Sequence, residues 1–154
     1  MALIKYEEVV SRFFSQVSAY DLVKYPEKER QEMYYEWIHS TFAQTAVRRL
    51  FSKLKLDDEA RTISYEMKNS TDADTDKEFT TEIAALGVTI RWVRPKVQNS
   101  DLAVQGMFNA EEKMYSQANH LDSLRSLLSD SEASLKNEIA SRNATWNSYL
   151  QKED

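Results

Sequence analysis

A chain of 154 residues, 42% apolar and 29% charged, has the size and make-up of one globular domain, and folding at that length buries about 70% of the surface an unfolded chain exposes. It contains two glycines and two prolines, too few for turn-dense sandwiches, barrels or glycine-rich phosphate loops, so helix is expected to dominate. The lack of cysteine excludes disulfides, thiolate metal ligands and cysteine nucleophiles and leaves the redox compartment open.

The clearest periodicity comes first. Tyr6, Val9, Val10, Phe13, Phe14 and Val17 recur at steps of three and four, with Glu7, Glu8, Arg12 and Gln16 opposite, which predicts an amphipathic helix over about 4–23. Pro26 suits the opening turn of a second helix, where its missing N–H costs nothing, and Glu27, Glu29 and Glu32 complement the helix dipole. That helix is expected over about 27–55, with Met33, Trp37, Ile38, Phe42, Val47, Leu50, Phe51 and Leu54 inward and a possible bend at the weak helix formers His39, Ser40 and Thr41.

In the middle the period changes to two. Ile63, Tyr65 and Met67 alternate with polar residues and predict a strand over about 62–68; Val88, Ile90 and Trp92 do the same over 87–93, before Pro95. Between them a short helix over 75–86 is expected, capped by Thr75 and Glu78 and closed by Gly87 as its C′ residue. Residues 96–108 read as a loop. Asn109 and Glu112 then open a helix to about residue 150, with Met114, Ala118, Leu121, Leu124, Leu128, Leu135, Ile139, Trp146 and Leu150 in phase; Ser129 and Glu132 mark where it could break. The expected fold is mainly α, a helical bundle with a long C-terminal helix and a small two-stranded β element, in a single domain over 1–154. Two strands alone are marginal in water, so they must pack on helices or gain strands from another chain.

Net charge is −5 overall, positive over residues 1–56 and negative over 57–110 and 111–154. That balance argues against nucleic acid as a gripped ligand. No apolar run reaches the ~18 residues of a membrane span, and no secretory leader is expected. Arg48, Arg49, Lys53 and Lys55 could meet an acidic partner or phosphates, but the commoner reading of such a cluster is a solvated helix face. Asp72, Asp74, Asp76 and Glu78 mimic the start of a calcium loop, but Lys77 and Ile83 stand where an EF-hand needs glycine and a bidentate glutamate. Glu36 and His39 have the Glu-x-x-His spacing of di-iron bundles without a second such pair, since Gln117 precedes His120 at the same spacing. Neither an acid nor a nucleophile can be assigned to His120, and because no export signal is expected, Asn69-Ser70-Thr71 and Asn143-Ala144-Thr145 are expected to match the glycosylation pattern by chance. No catalytic, metal or cofactor residue is nominated.

Three segments carry a resemblance. They are Leu56-Asp57-Asp58-Glu59 through Ile63-Ser64-Tyr65-Glu66-Met67-Lys68-Asn69-Ser70 to Asp76-Lys77-Glu78-Phe79, then Gly87-Val88-Thr89-Ile90-Arg91-Trp92-Val93 with Pro95, and Tyr115-Ser116-Gln117-Ala118-Asn119-His120-Leu121. Together, over about residues 50–150, the chain resembles a family of small virion proteins encoded among the structural genes of tailed bacteriophages, in the neck or head–tail connector region. The resemblance implies a non-enzymatic adaptor subunit of a homo-oligomeric, dodecameric ring that binds the portal protein and neighbouring neck or tail proteins. It implies a virion location after assembly in the host cytoplasm, with no cofactor, no membrane, and DNA passing nearby without specific binding. A tail-completion or baseplate position, or a regulatory protein that binds a host protein, are the alternatives.

For such a subunit the expected interface residues are Ile63, Tyr65, Met67, Val88, Ile90 and Trp92 on the strands. On the last helix they are Leu128, Leu135, Ile139, Trp146 and Tyr149. The physical expectation behind both sets is apolar surface that a lone chain leaves uncovered.

Overall fold

The computed structural model describes the backbone of residues 1–106 and 111–144 and the side chains of 1–19, 21–99 and 120–143. In chain order these residues form β1 (Ala2–Lys5), α1 (Tyr6–Gln16), a 3-10 turn (Tyr20–Lys24), α2 (Glu27–Ala43), a single helical turn α3 (Thr45–Arg48), β2 (Phe51–Asp57), β3 (Thr62–Met67), α4 (Ala73–Gly106) and α5 (Glu111–Ala144). The fold is mainly α with a small antiparallel sheet.

The sheet has three strands in the order β1-β3-β2. On the central strand Ile63 and Tyr65 face the core, flanked by Ile4 and Ala2 on β1 and by Leu56 and Leu54 on β2. The period-two alternation over 62–68 thus predicted β3 well. Its two neighbours were not foreseen, and the two-stranded element is corrected to three strands, all from one chain. β2 begins inside the helix expected over 27–55 and runs two residues past its end. Val47, Leu50, Phe51 and Leu54 satisfy helical spacing, yet Lys53-Leu54-Lys55-Leu56-Asp57 also alternates strictly, and a short apolar segment can satisfy both periods. Tertiary pairing with β3 selects the strand. A tight hairpin joins β2 to β3; Asp57 Oδ1 accepts the Ala60 N–H at 2.9 Å, and Arg61 takes a positive φ of 57°.

α4 is the axis of the molecule. From Phe79 to Val93 nearly every side chain is buried, because α1, α2, α5 and β1 all contact this one helix. A helix buried on all sides has no polar stripe, so its 3.6-residue period disappears from the sequence. What remained visible, Val88, Ile90 and Trp92 alternating with Thr89 and Arg91, imitates a strand. The strand over 87–93 and the loop over 96–108 are therefore corrected: both belong to α4 as far as Gly106, and the helix runs through Pro95. Buried Thr80, Thr81 and Thr89 return their hydroxyls to the carbonyls of Asp76, Lys77 and Ala85 at 2.8–2.9 Å, which satisfies them without a partner helix.

Gly87 is not a C′ residue. A Cβ there would lie 2.2 Å from Thr41 Cγ2 and Oγ1, so glycine is what lets α2 cross α4 closely. The start of α4 also lies two residues earlier than predicted. Asp72 accepts the Thr75 N–H at 2.8 Å and caps the helix, in place of Thr75. At the other end of the chain α5 continues through Ser129 and Ser131 without a break. Residues 109–110 and 145–150 of that expected helix, and 107–108 of the expected loop, lie outside the described residues.

Candidate functional site

Ile63, Tyr65 and Met67 on β3, Val88, Ile90 and Trp92 on α4, and Leu135 on α5 are all at most 7% exposed in the single chain. Leu128 and Ile139 are half-buried against the same apolar cluster. These expected interface residues are the core of the chain itself. The reason is topological: β1 and β2 flank β3, and three helices surround α4, so the surface that seemed to need a neighbour is covered internally. Trp146 and Tyr149 lie outside the described residues.

The polar clusters hold the elements together. The Tyr6 hydroxyl donates to Asp58 Oδ1 at 2.6 Å, and His39 Nε2 lies 2.7 Å from the same oxygen, so α1, α2 and the β2–β3 hairpin meet at one carboxylate. The Tyr6 bond, with help from His39, holds the Asp58 carboxyl below its usual range, whereas burial and then Asp58 push the Tyr6 hydroxyl far above the usual tyrosine range. On α1, Arg12 reaches Glu78 at 2.7 Å and Glu82 at 3.1 Å on α4, and Lys77 reaches back to Glu8 at 3.0 Å.

The most deeply buried charges are Asp76 and Arg142, each 8% exposed at the side chain. Arg142, near the end of α5, pairs with Asp76 and stacks on Phe79 with its guanidinium carbon 4.9 Å from the ring centre. Asp76 also accepts the Ser70 hydroxyl at 2.5 Å and the Thr71 N–H at 3.1 Å. Burial alone would raise its carboxyl, but the bonds from Ser70, Arg142 and Thr71 prevail and hold it low.

The chemistry-bearing residues singled out by spacing therefore go to structural work. Asp72 caps α4, Asp76 is buried against Arg142, Glu78 meets Arg12, and His39 meets Asp58. His39 and Glu36 share α2 but no second acid–histidine pair approaches them, and no three potential ligands converge on a metal position among the described residues. A cleft of about 450 Å³ beside α1 is lined by Lys5, Tyr6, Gln31, Tyr34 and Arg61. Among the described residues no helix is long and apolar enough to cross a membrane.

Two surfaces remain as interaction candidates. The first is apolar: Phe14 is 42% exposed, Val23 72% and Tyr25 44%, while Leu3, 51% exposed, lies opposite Ser64 on the outer face of the sheet. Phe14 was placed on the apolar stripe of α1, and only its position at the stripe's margin hinted that it would stay uncovered. The second is the outer face of the sheet. Lys5, Lys53 and Lys55 point away from the core there beside Ser64 and Glu66. Lys53 makes a loose 3.7 Å pair with Glu66, while Arg48 donates to the Phe51 carbonyl at 2.9 Å. The basic cluster of residues 48–55 is thus divided between a helical turn and a strand and is not one helix face. No protein-family model, no curated protein and no solved structure matches the chain.

Proposed function

We propose that this chain is a non-enzymatic structural protein of a tailed-phage virion, a subunit of the head–tail connector or adaptor ring between portal and tail. The resemblance over residues 50–150 supplies the virion setting. The observation that carries an assembly role is the exposure of Leu3, Phe14, Val23 and Tyr25 on a chain whose core is otherwise well covered. A neighbour that covers them removes their apolar surface from water. Each contributes roughly 25 cal/mol per Å² removed from water, offset by the ordering that association demands.

The neighbours under this reading are further copies of the chain, the portal protein and adjoining neck or tail proteins, and the subunit works by being held in place. Its acidic balance keeps passing DNA from adhering, since like charge disfavours phosphate contact. Mass spectrometry of purified particles tests the proposal. The wild-type chain is expected at many copies per particle, and a Phe14→Ser, Val23→Ser, Tyr25→Ser triple variant with unchanged circular dichroism is expected to be depleted. Absence of the wild-type chain from particles would overturn the virion role and favour a regulator that binds a host protein.

A further inference from the structure

β2 is an edge strand. In the sheet order β1-β3-β2 its outer side has no strand neighbour among the described residues, and such an edge offers unpaired backbone groups to any extended segment. Lysines along an edge ordinarily repel that approach. Here they come with a second block of opposite sign. Along the edge and into the hairpin the chain reads Lys53-Leu54-Lys55-Leu56-Asp57-Asp58-Glu59, cations first and anions last. Lys53 and Lys55 are exposed on the outer face, and Leu54 and Leu56 are half-buried on the inner one.

We infer that the β2 edge pairs antiparallel with the β2 edge of a second copy of this chain, across a two-fold axis at Leu56. Charge order selects both the partner and the register. With the axis at Leu56, Lys55 faces Asp57 of the second copy and the reciprocal pair forms as well. Lys53 then extends toward Glu59 of the second hairpin. Opposite charges directly across a ladder are favourable and like charges are not. An axis one residue earlier sets Lys55 against Lys55, and two residues earlier it sets Lys53 against Lys55. Leu54 and Leu56 keep to the inner face in each of these registers, because pairing with β3 fixes the faces of β2, so charge selects the axis at Leu56. The two-fold contact closes on itself, so the edge is consumed rather than extended. Leu56 meets its own copy on the inner face, which removes its remaining exposure.

Sedimentation velocity on the full chain tests the pairing. The wild type is expected as a dimer whose dissociation increases with salt. A Lys53→Glu, Lys55→Glu variant and an Asp57→Lys, Glu59→Lys variant are each expected to lose the dimer, and an equimolar mixture of the two to regain it as a heterodimer. Asp57 also closes the hairpin turn, so a second measurement guards against misfolding. Because the chain has no cysteine, a Leu56→Cys variant has one thiol, and it should cross-link to a covalent dimer on mild oxidation while Ser52→Cys and Glu66→Cys do not. A strictly monomeric wild type, or charge-block variants that remain dimers, would overturn the inference. The pairing does not rest on the virion reading: a chain that enters particles yet never dimerises through β2 leaves that reading standing and removes this one.

Discussion

Gly87 sits where α2 and α4 touch, with Thr41 occupying the space a side chain would need. Replacing it by alanine pits two effects against each other. Alanine favours a helix interior by about 1 kcal/mol over glycine, but a methyl 2.2 Å from buried Thr41 forces two helices apart or drives Thr41 off its rotamer. Overpacking of that kind costs about 1–3 kcal/mol, and a clash this close belongs at the upper end. Gly87→Ala is therefore expected to lower stability in chemical denaturation, and Thr41→Gly in the same chain to recover part of the loss. A Gly87→Ala variant as stable as the wild type would show that the crossing has slack. Nothing local in the sequence distinguishes this glycine from a helix terminator, because its reason lies forty-six residues away at Thr41. Val9, Phe13 and Ile38, by contrast, are buried as their spacing predicts, since amphipathic periodicity reports a core-facing stripe directly.

At the scale of elements, the contact between Asp76 and Arg142 fastens the far end of α5 to the start of α4. Removing one partner of a buried pair leaves the other charge in poor surroundings, at a cost of about 3–5 kcal/mol. Asp76→Ala and Arg142→Ala are each expected to destabilise strongly, and the double variant by clearly less than their combined effect. The sign of the pH dependence follows from the carboxyl, held in the folded chain below its ordinary value of 3.8. Its stabilising contribution is present above that ordinary value and lost as pH falls through the folded one. Urea melts should show the wild type losing stability at acid pH along a limb that Asp76→Ala flattens; Asp58, depressed in the same direction, leaves a residual slope. An unchanged acid limb in Asp76→Ala would detach this pair from the pH response. Elements of this kind were unevenly legible. β3 declared itself because one face is buried and the other is not, while β2 carried two periods at once, and the pairing of Asp76 with Arg142 joins residues far apart in sequence with no local mark.

The whole molecule is organised around a helix that the sequence disguised, and the interface residues expected on it and on β3 turned out to be core for that reason. Apolar patterning identifies which residues avoid water, but not whether their own chain or a neighbour provides the cover; here the cover comes from one chain, and among the described residues the large uncovered apolar side chains lie at its beginning. That arrangement makes α5 a structural wall as much as a docking arm. Leu135 and Ile139 lie beside Ile90 of α4, and Arg142 lies over Phe79 and within 3.2 Å of the Met67 sulfur. Deleting residues 131–154 strips that wall from Ile90, Phe79 and Met67 and removes the partner of Asp76 together. The remaining helices have lost packing rather than propensity, and helical stability in proteins comes chiefly from packing of a buried face. The truncated chain is accordingly expected to keep much of its far-ultraviolet circular dichroism while losing near-ultraviolet signal, binding a hydrophobic dye and unfolding without a sharp transition. If it unfolds instead as sharply as the full chain and binds no dye, α5 contributes little to the core, and its apolar face is free for another molecule.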